Sequence, residues 1–84
     1  MLKEHVLEVV KKVISQVLPG VGSEMISYEK SLKELGANSI DRMEVLTMSM
    51  EELGLKIPLM RFAHVSNIEG LVDVLSVNWS TKRT

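Results

Sequence analysis

The sequence predicts an all-α fold, a four-helix bundle of three long helices and one short one with a long loop between helices 1 and 2. Three observations predict it. Apolar residues recur at steps of three and four over residues 2–18, 39–53 and 67–78. Pro19-Gly20, Gly36, Gly54 and Pro58 fall where those patterns stop. No stretch alternates apolar and polar residues convincingly at the period of a strand. Eighty-four residues make one domain, taken as 1–80, followed by a basic tail over 81–84 that is expected to fray.

The first helix carries Val6, Val10, Val13 and Val17 on one face, with Leu7, Ile14 and Leu18 beside them. Valine is a poor helix former, so burial rather than propensity must hold this element. Residues 19–38 form a long connection. Ile26, Leu32 and Leu35 are its expected anchors, one turn is expected around Lys30–Leu35, and Gly36 is placed as the left-handed residue after it.

The second helix is predicted over 39–53 with Asn38 as its cap. Ile40, Met43, Leu46 or Thr47, Met50 and Leu53 are assigned to its core face, which leaves Val45 and Met48 off that stripe. Gly54 closes it. Leu55-Lys56-Ile57 is extended, because the residue before a proline avoids the α region. Pro58 opens a short third helix near Leu59–His64. Ser66-Asn67 provides the next cap, with Glu69 at capping-box spacing from Ser66, and the last helix runs from about Asn67 to Asn78 with Ile68, Leu71, Val72, Leu75 and Trp79 inward.

Composition excludes several classes. No cysteine is present, so there is no disulfide framework, thiolate metal site or cysteine nucleophile. A cytoplasmic, monomeric protein is expected, since a small secreted domain usually needs staples. Apolar runs are too short to span a membrane, and the N-terminus lacks the apolar block of a signal peptide. Net charge is −1, and the central helix holds Asp41, Glu44, Glu51 and Glu52 against Arg42 alone. That acidity argues against a nucleic-acid-binding helix. Met43, Met50 and Met60 read as apolar filler. His64 has no second ligand at useful spacing, and no metal site is expected.

The chemistry concentrates at Leu35-Gly36-Ala37-Asn38-Ser39-Ile40. Ser39 is expected at the start of a helix, where backbone amides and the helix dipole favour anions and phosphates. A hydroxyl there suits a phosphodiester. It does not suit acyl-enzyme chemistry, because neither His5 nor His64 lies near it in sequence and no Gly-x-Ser-x-Gly elbow surrounds it. The bland alternative is that Asn38 and Ser39 only cap a helix.

These six residues resemble the Leu-Gly-x-Asp-Ser-Leu motif of acyl and peptidyl carrier proteins. The resemblance extends to the helix spacing, the long first loop and the break before Pro58. It implies a carrier, not an enzyme, with 4′-phosphopantetheine transferred from coenzyme A to Ser39 by a phosphopantetheinyl transferase. Asn38 stands where the family usually has aspartate, which keeps the cap and removes a negative charge.

The stretch from Asn38 to Glu44 is similar to discrete carriers of polyketide β-branching cassettes. Such a donor carrier is loaded with malonyl by an acyltransferase. A ketosynthase-like decarboxylase turns the malonyl to acetyl, which passes to an enzyme like hydroxymethylglutaryl-CoA synthase. Acceptor carriers of those systems tend to have tryptophan six residues after the serine, and here that residue is Val45.

Partner enzymes are expected to meet Asn38, Ile40, Asp41, Arg42 and Glu44, with Val45 and Met48 as the apolar centre and Glu52 and Met60 at the edge. A solvated acidic face is the plainer reading of the charges. A carrier of fatty-acid or nonribosomal peptide synthesis remains an alternative, as does a helical interaction module without a prosthetic group.

Overall fold

The structure, a computed structural model, describes residues 2–83. Three α-helices, α1 (Leu2–Val17), α2 (Ser39–Leu53) and α3 (Ile68–Arg83), are joined by segments holding short 3₁₀ turns at Ser23–Met25 and Leu59–Phe62. Among the described residues there is no strand. The short third helix expected over Leu59–His64 is thus a single 3₁₀ turn: Arg61 N–H donates to the Pro58 carbonyl at 2.9 Å and Ala63 N–H to that of Met60 at 3.1 Å. One tight turn is all that fits between Pro58 and the core contact of Phe62. The fraying expected of 81–84 falls on side chains, and on Thr84 itself, that lie outside the described residues.

Helix α1 buries Val6, Val10, Val13 and Ile14 completely. This spacing places all four on one stripe, and each contributes about 1.5–3 kcal/mol of apolar burial. The helix packs against both α2 and α3, which make little direct contact with each other. The space between those two is lined from the long loop by Leu32 and from the second connection by Phe62.

The long loop is held by hydrogen bonds. The carbonyls of Lys30 and Tyr28 accept from the Ile68 and Glu69 N–H groups at 2.8 and 3.0 Å. The loop therefore satisfies two of the amides that the start of α3 would leave unpaired. The single turn that follows is closed at both ends. Ser31 and Glu34 form a reciprocal box (3.0 and 2.8 Å). At the other end Ala37 N–H donates to the Leu32 carbonyl and Gly36 N–H to that of Lys33, both at 3.0 Å. This is a Schellman arrangement with Gly36 at φ +98°, where a side chain would be strained.

Helix α2 has the predicted limits but not the predicted rotation. Its buried residues are Val45, Ser49 and Leu53, while Ile40 is 72% and Met43 45% exposed. Val45 is therefore a core residue and not part of an outer contact surface; Ile40 and Met43 are not core residues. Met60 likewise is 85% exposed rather than core filler. The reason is that α2 has apolar residues on both sides. Ile40-Met43-Thr47-Met50 and Val45-Leu46-Ser49-Leu53 are both plausible stripes, and the true core stripe contains a serine.

Of the expected cap pair Ser66-Asn67, Asn67 is the residue that caps α3, its Oδ1 accepting the Gly70 N–H at 2.9 Å. Glu69 is free to pair with Lys3 instead, at 3.5 Å. Ile68, Leu71, Val72 and Leu75 face inward as expected. Trp79 is half-buried at the far end and stacks on the His5 ring at 4.9 Å.

Candidate functional site

Ser39 is the first residue of α2 and is exposed. Its position follows from local chemistry on either side. The Schellman turn at Gly36 reverses the chain, and Ala37, buried, anchors the next step. Asn38 and Asp41 then form a capping box: Asn38 Oδ1 accepts the Asp41 N–H at 2.8 Å, and Asp41 Oδ2 accepts the Asn38 N–H at 3.2 Å. Asparagine thus caps the helix as an aspartate would, without its charge. Among the described residues the amides of Ser39 and Ile40 have no protein acceptor, so they remain available to an anion on the serine oxygen.

Arg42 places a cation beside this hydroxyl. It is half-buried, its Nη2 lies 3.4 Å from Ser39 Oγ, and it makes no ion pair among the described residues. A phosphodiester on Ser39 therefore fits: the residue is exposed, two amides without an acceptor stand at the same helix start, and one guanidinium lies beside the oxygen.

Two hollows flank α2. On its outer side Ser39, Ile40, Met43, Glu44, Thr47 and Met48 line an open groove of about 520 Å³. Thr47 Oγ1 donates to the Met43 carbonyl at 2.9 Å, leaving its methyl group to the groove. On the other side a cavity of about 380 Å³ opens between α2 and α3. Its lining is apolar at Leu32, Leu46, Phe62, Val65 and Leu71 and polar at Ser31, Lys33, Arg42, Ser66 and Asn67.

The expected partner-facing residues separate accordingly. Ile40, Glu44 and Met48 line the outer groove, and Met60 is strongly exposed after Pro58. Asn38 and Asp41 are held in the cap, while Arg42 reaches toward the inner cavity. Val45 is buried and leaves the set. Glu52 pairs with Lys12 of α1 at 2.9 Å, so part of its charge is committed within the molecule. Met43, 45% exposed, and Leu59, 46% exposed, belong to the exposed apolar surface but were not assigned to it from sequence. The signal for Met43 was its neighbour Thr47, which fits an outer face better than a core. Leu59 gave no sequence signal of its own. Among the described residues no cluster of histidines and carboxylates could hold a metal ion, and no helix is long and apolar enough to cross a membrane.

Comparison with known proteins bears on the same segment. Residues 8–75 match the family described as phosphopantetheine attachment site. The chain is 43% identical over 73 residues to the polyketide biosynthesis acyl-carrier-protein AcpK of Bacillus subtilis (strain 168), a match covering 87% of this chain and 89% of that one. It also superposes with TM-score 0.83 and 36% identity on a chain in the crystal structure of the curacin biosynthetic pathway HMG synthase in complex with acetyl donor-ACP. That match covers 92% of this chain and 99% of the other.

Proposed function

The chain belongs to the phosphopantetheine-attachment family of acyl carriers, and we propose that Ser39 is its attachment residue and that it serves polyketide biosynthesis as an acetyl donor. Members of this family are carriers rather than catalysts and hold a covalently attached 4′-phosphopantetheine. When bound, that group supplies a terminal thiol on which an acyl chain is carried as a thioester.

Loading moves the phosphopantetheinyl phosphorus from the pyrophosphate of coenzyme A to Ser39 Oγ. The 3′,5′-ADP portion leaves, and the serine proton passes to a base on the transferase. The chain's own part is to keep the hydroxyl uncovered and oriented. The Gly36 turn and the Asn38–Asp41 box fix the first turn of α2, so the oxygen points away from the core. The Ser39 and Ile40 amides and Arg42 then face the added negative charge.

The single observation that carries the reading is Ser39 exposed at the first position of a capped helix, inside the matched family segment. The donor role is supported by the likeness to the chain seated with an HMG synthase. The outer groove, with Ile40, Met43 and Met48 beside Glu44, offers an adaptable apolar centre and an acidic edge to partner enzymes. Those partners are a phosphopantetheinyl transferase, an acyltransferase supplying malonyl, a ketosynthase-like decarboxylase and an enzyme like HMG-CoA synthase. The protein works as a cytoplasmic monomer.

The test is transfer in a reconstituted system. The loaded carrier is given malonyl-CoA, acyltransferase, the decarboxylase and an HMG-CoA-synthase-like enzyme, with an acetoacetyl-loaded acceptor carrier. A hydroxymethylglutaryl thioester on the acceptor is the expected product. Failure there, together with efficient chain elongation by a fatty-acid ketosynthase, would move the chain to the fatty-acid alternative.

A further inference from the structure

Arg42 occupies a particular place: its guanidinium touches Ser39 Oγ at 3.4 Å and also lines the cavity between α2 and α3. The serine itself lines the opposite, outer groove. An arm attached to Ser39 thus has two hollows within reach of its root, one on each side of α2. Both offer apolar surface. They differ in that a cation with no ion-pair partner among the described residues stands at the edge of only one of them.

We propose that Arg42 is a positioning residue that takes the phosphodiester on Ser39 and turns the arm toward the inner cavity, leaving the outer groove clear for partner enzymes; this rests on Ser39 being the attachment site. The physical reasons are charge and shape. A guanidinium forks onto phosphate oxygens in a charge-assisted pair, which is stronger than its long contact with a neutral hydroxyl. Once that pair forms, the arm's root lies on the Arg42 side of the helix start. The cavity beyond has an apolar floor at Leu46, Phe62, Val65 and Leu71. Its rim carries hydrogen-bonding groups at Ser31, Ser66 and Asn67, which suits a chain that alternates methylenes and amides. The lysine on the same rim, Lys33, adds a second cation. Partners that dock on Ile40, Met43 and Met48 then meet a groove the arm does not fill, and the arm is released by competing for Arg42 rather than by melting the fold.

The experiment compares the unmodified and enzymatically loaded protein by amide NMR, with phosphorus spectra of the diester. Attachment is expected to shift the amides of Leu46, Phe62, Val65 and Asn67 and the Arg42 Nε signal. In R42Q the ratio of parked to free arm falls about tenfold, the effect of losing one charge-assisted hydrogen bond, and the phosphorus signal moves toward that of a free diester. Arg42→Lys, which keeps the charge without the fork, falls between. Should R42Q lose its fold, R42K alone carries the test, a reduced ratio supporting the proposal and an undiminished one overturning it. Shifts confined to Ile40, Met43 and Thr47, or cavity shifts indifferent to R42Q, also overturn it. Intact mass separates the two levels: a protein that gains no arm defeats the Ser39 reading, whereas a loaded protein with Arg42-independent spectra defeats only this inference.

Discussion

The two long faces of α2 are each furnished against the simplest expectation. The inner face contains Ser49, fully buried, whose hydroxyl has no hydrogen-bond partner among the described residues. The outer face exposes Ile40 and Met43 beside the site. Exchanging those residue types would favour folding, since burying an unpaired hydroxyl costs about 1–3 kcal/mol and an exposed isoleucine contributes little. The outer apolar residues are therefore better explained by what α2 meets than by how it folds. The inner face supplies stability and the outer face supplies contact.

Stability measurements test this division most strongly at its inner end. Leu53→Ala is expected to cost about 2–5 kcal/mol in denaturant unfolding, whereas Ile40→Ala, on the exposed face, stays within about 0.5 kcal/mol. Equal losses at the two positions would erase the distinction. Ser49→Ala removes the orphan hydroxyl from the inner face and should raise stability by about 1 kcal/mol. A drop instead would mean that the hydroxyl is paired in solution.

The charged residues of α2 allow a finer comparison. Glu44 lines the outer groove, and Glu52 pairs with Lys12 across to α1. Glu44→Lys is expected to slow association with a basic partner, more so at low salt, with unfolding unchanged. Glu52→Lys should instead cost about 0.2–1 kcal/mol of stability, as for an exposed pair. Stopped-flow association and thermal melts read these separately; a slower encounter for Glu52→Lys and none for Glu44→Lys would reverse the assignment.

The smallest effect concerns Lys3, far from the site. Its hydrogen bond to Asp73, at 2.9 Å, raises its pKa above the ordinary 10.5, burial opposes this, and Glu69 adds to the rise. Because the folded value is the higher one, the stabilisation is complete below 10.5 and fades as pH climbs through the raised value. Lys3→Met should lower the melting temperature slightly at neutral pH, and the gap should narrow in strong alkali. A gap that is constant with pH would place the effect in packing against Tyr28, over which the ammonium sits at 5.0 Å.

The same two faces explain what was legible in the sequence. Helix limits were readable because Pro19, Asn38, Gly54 and Asn67 act locally through caps and stops. The rotation of α2 was not, because each of its sides carries apolar residues; Leu53 is inward as expected, but only the packing of α1 decides that Val45 turns in while Ile40 and Met43 turn out. The last helix extends past Asn78 to Arg83, where no glycine or proline marks an end. The exposed place of Ser39 at the start of α2 was legible from its motif and cap. The place of Arg42 was not, since the cavity it borders is assembled from the long loop, the 3₁₀ turn and α3, which only the folded chain brings together.

The most direct measurement of the account is intact mass after incubation with a phosphopantetheinyl transferase and coenzyme A. The native chain is expected to gain one phosphopantetheinyl group completely, and Ser39→Ala none, with both variants equally helical by circular dichroism. An unchanged native mass under conditions that load a control carrier, or an arm gained by Ser39→Ala, would contradict it.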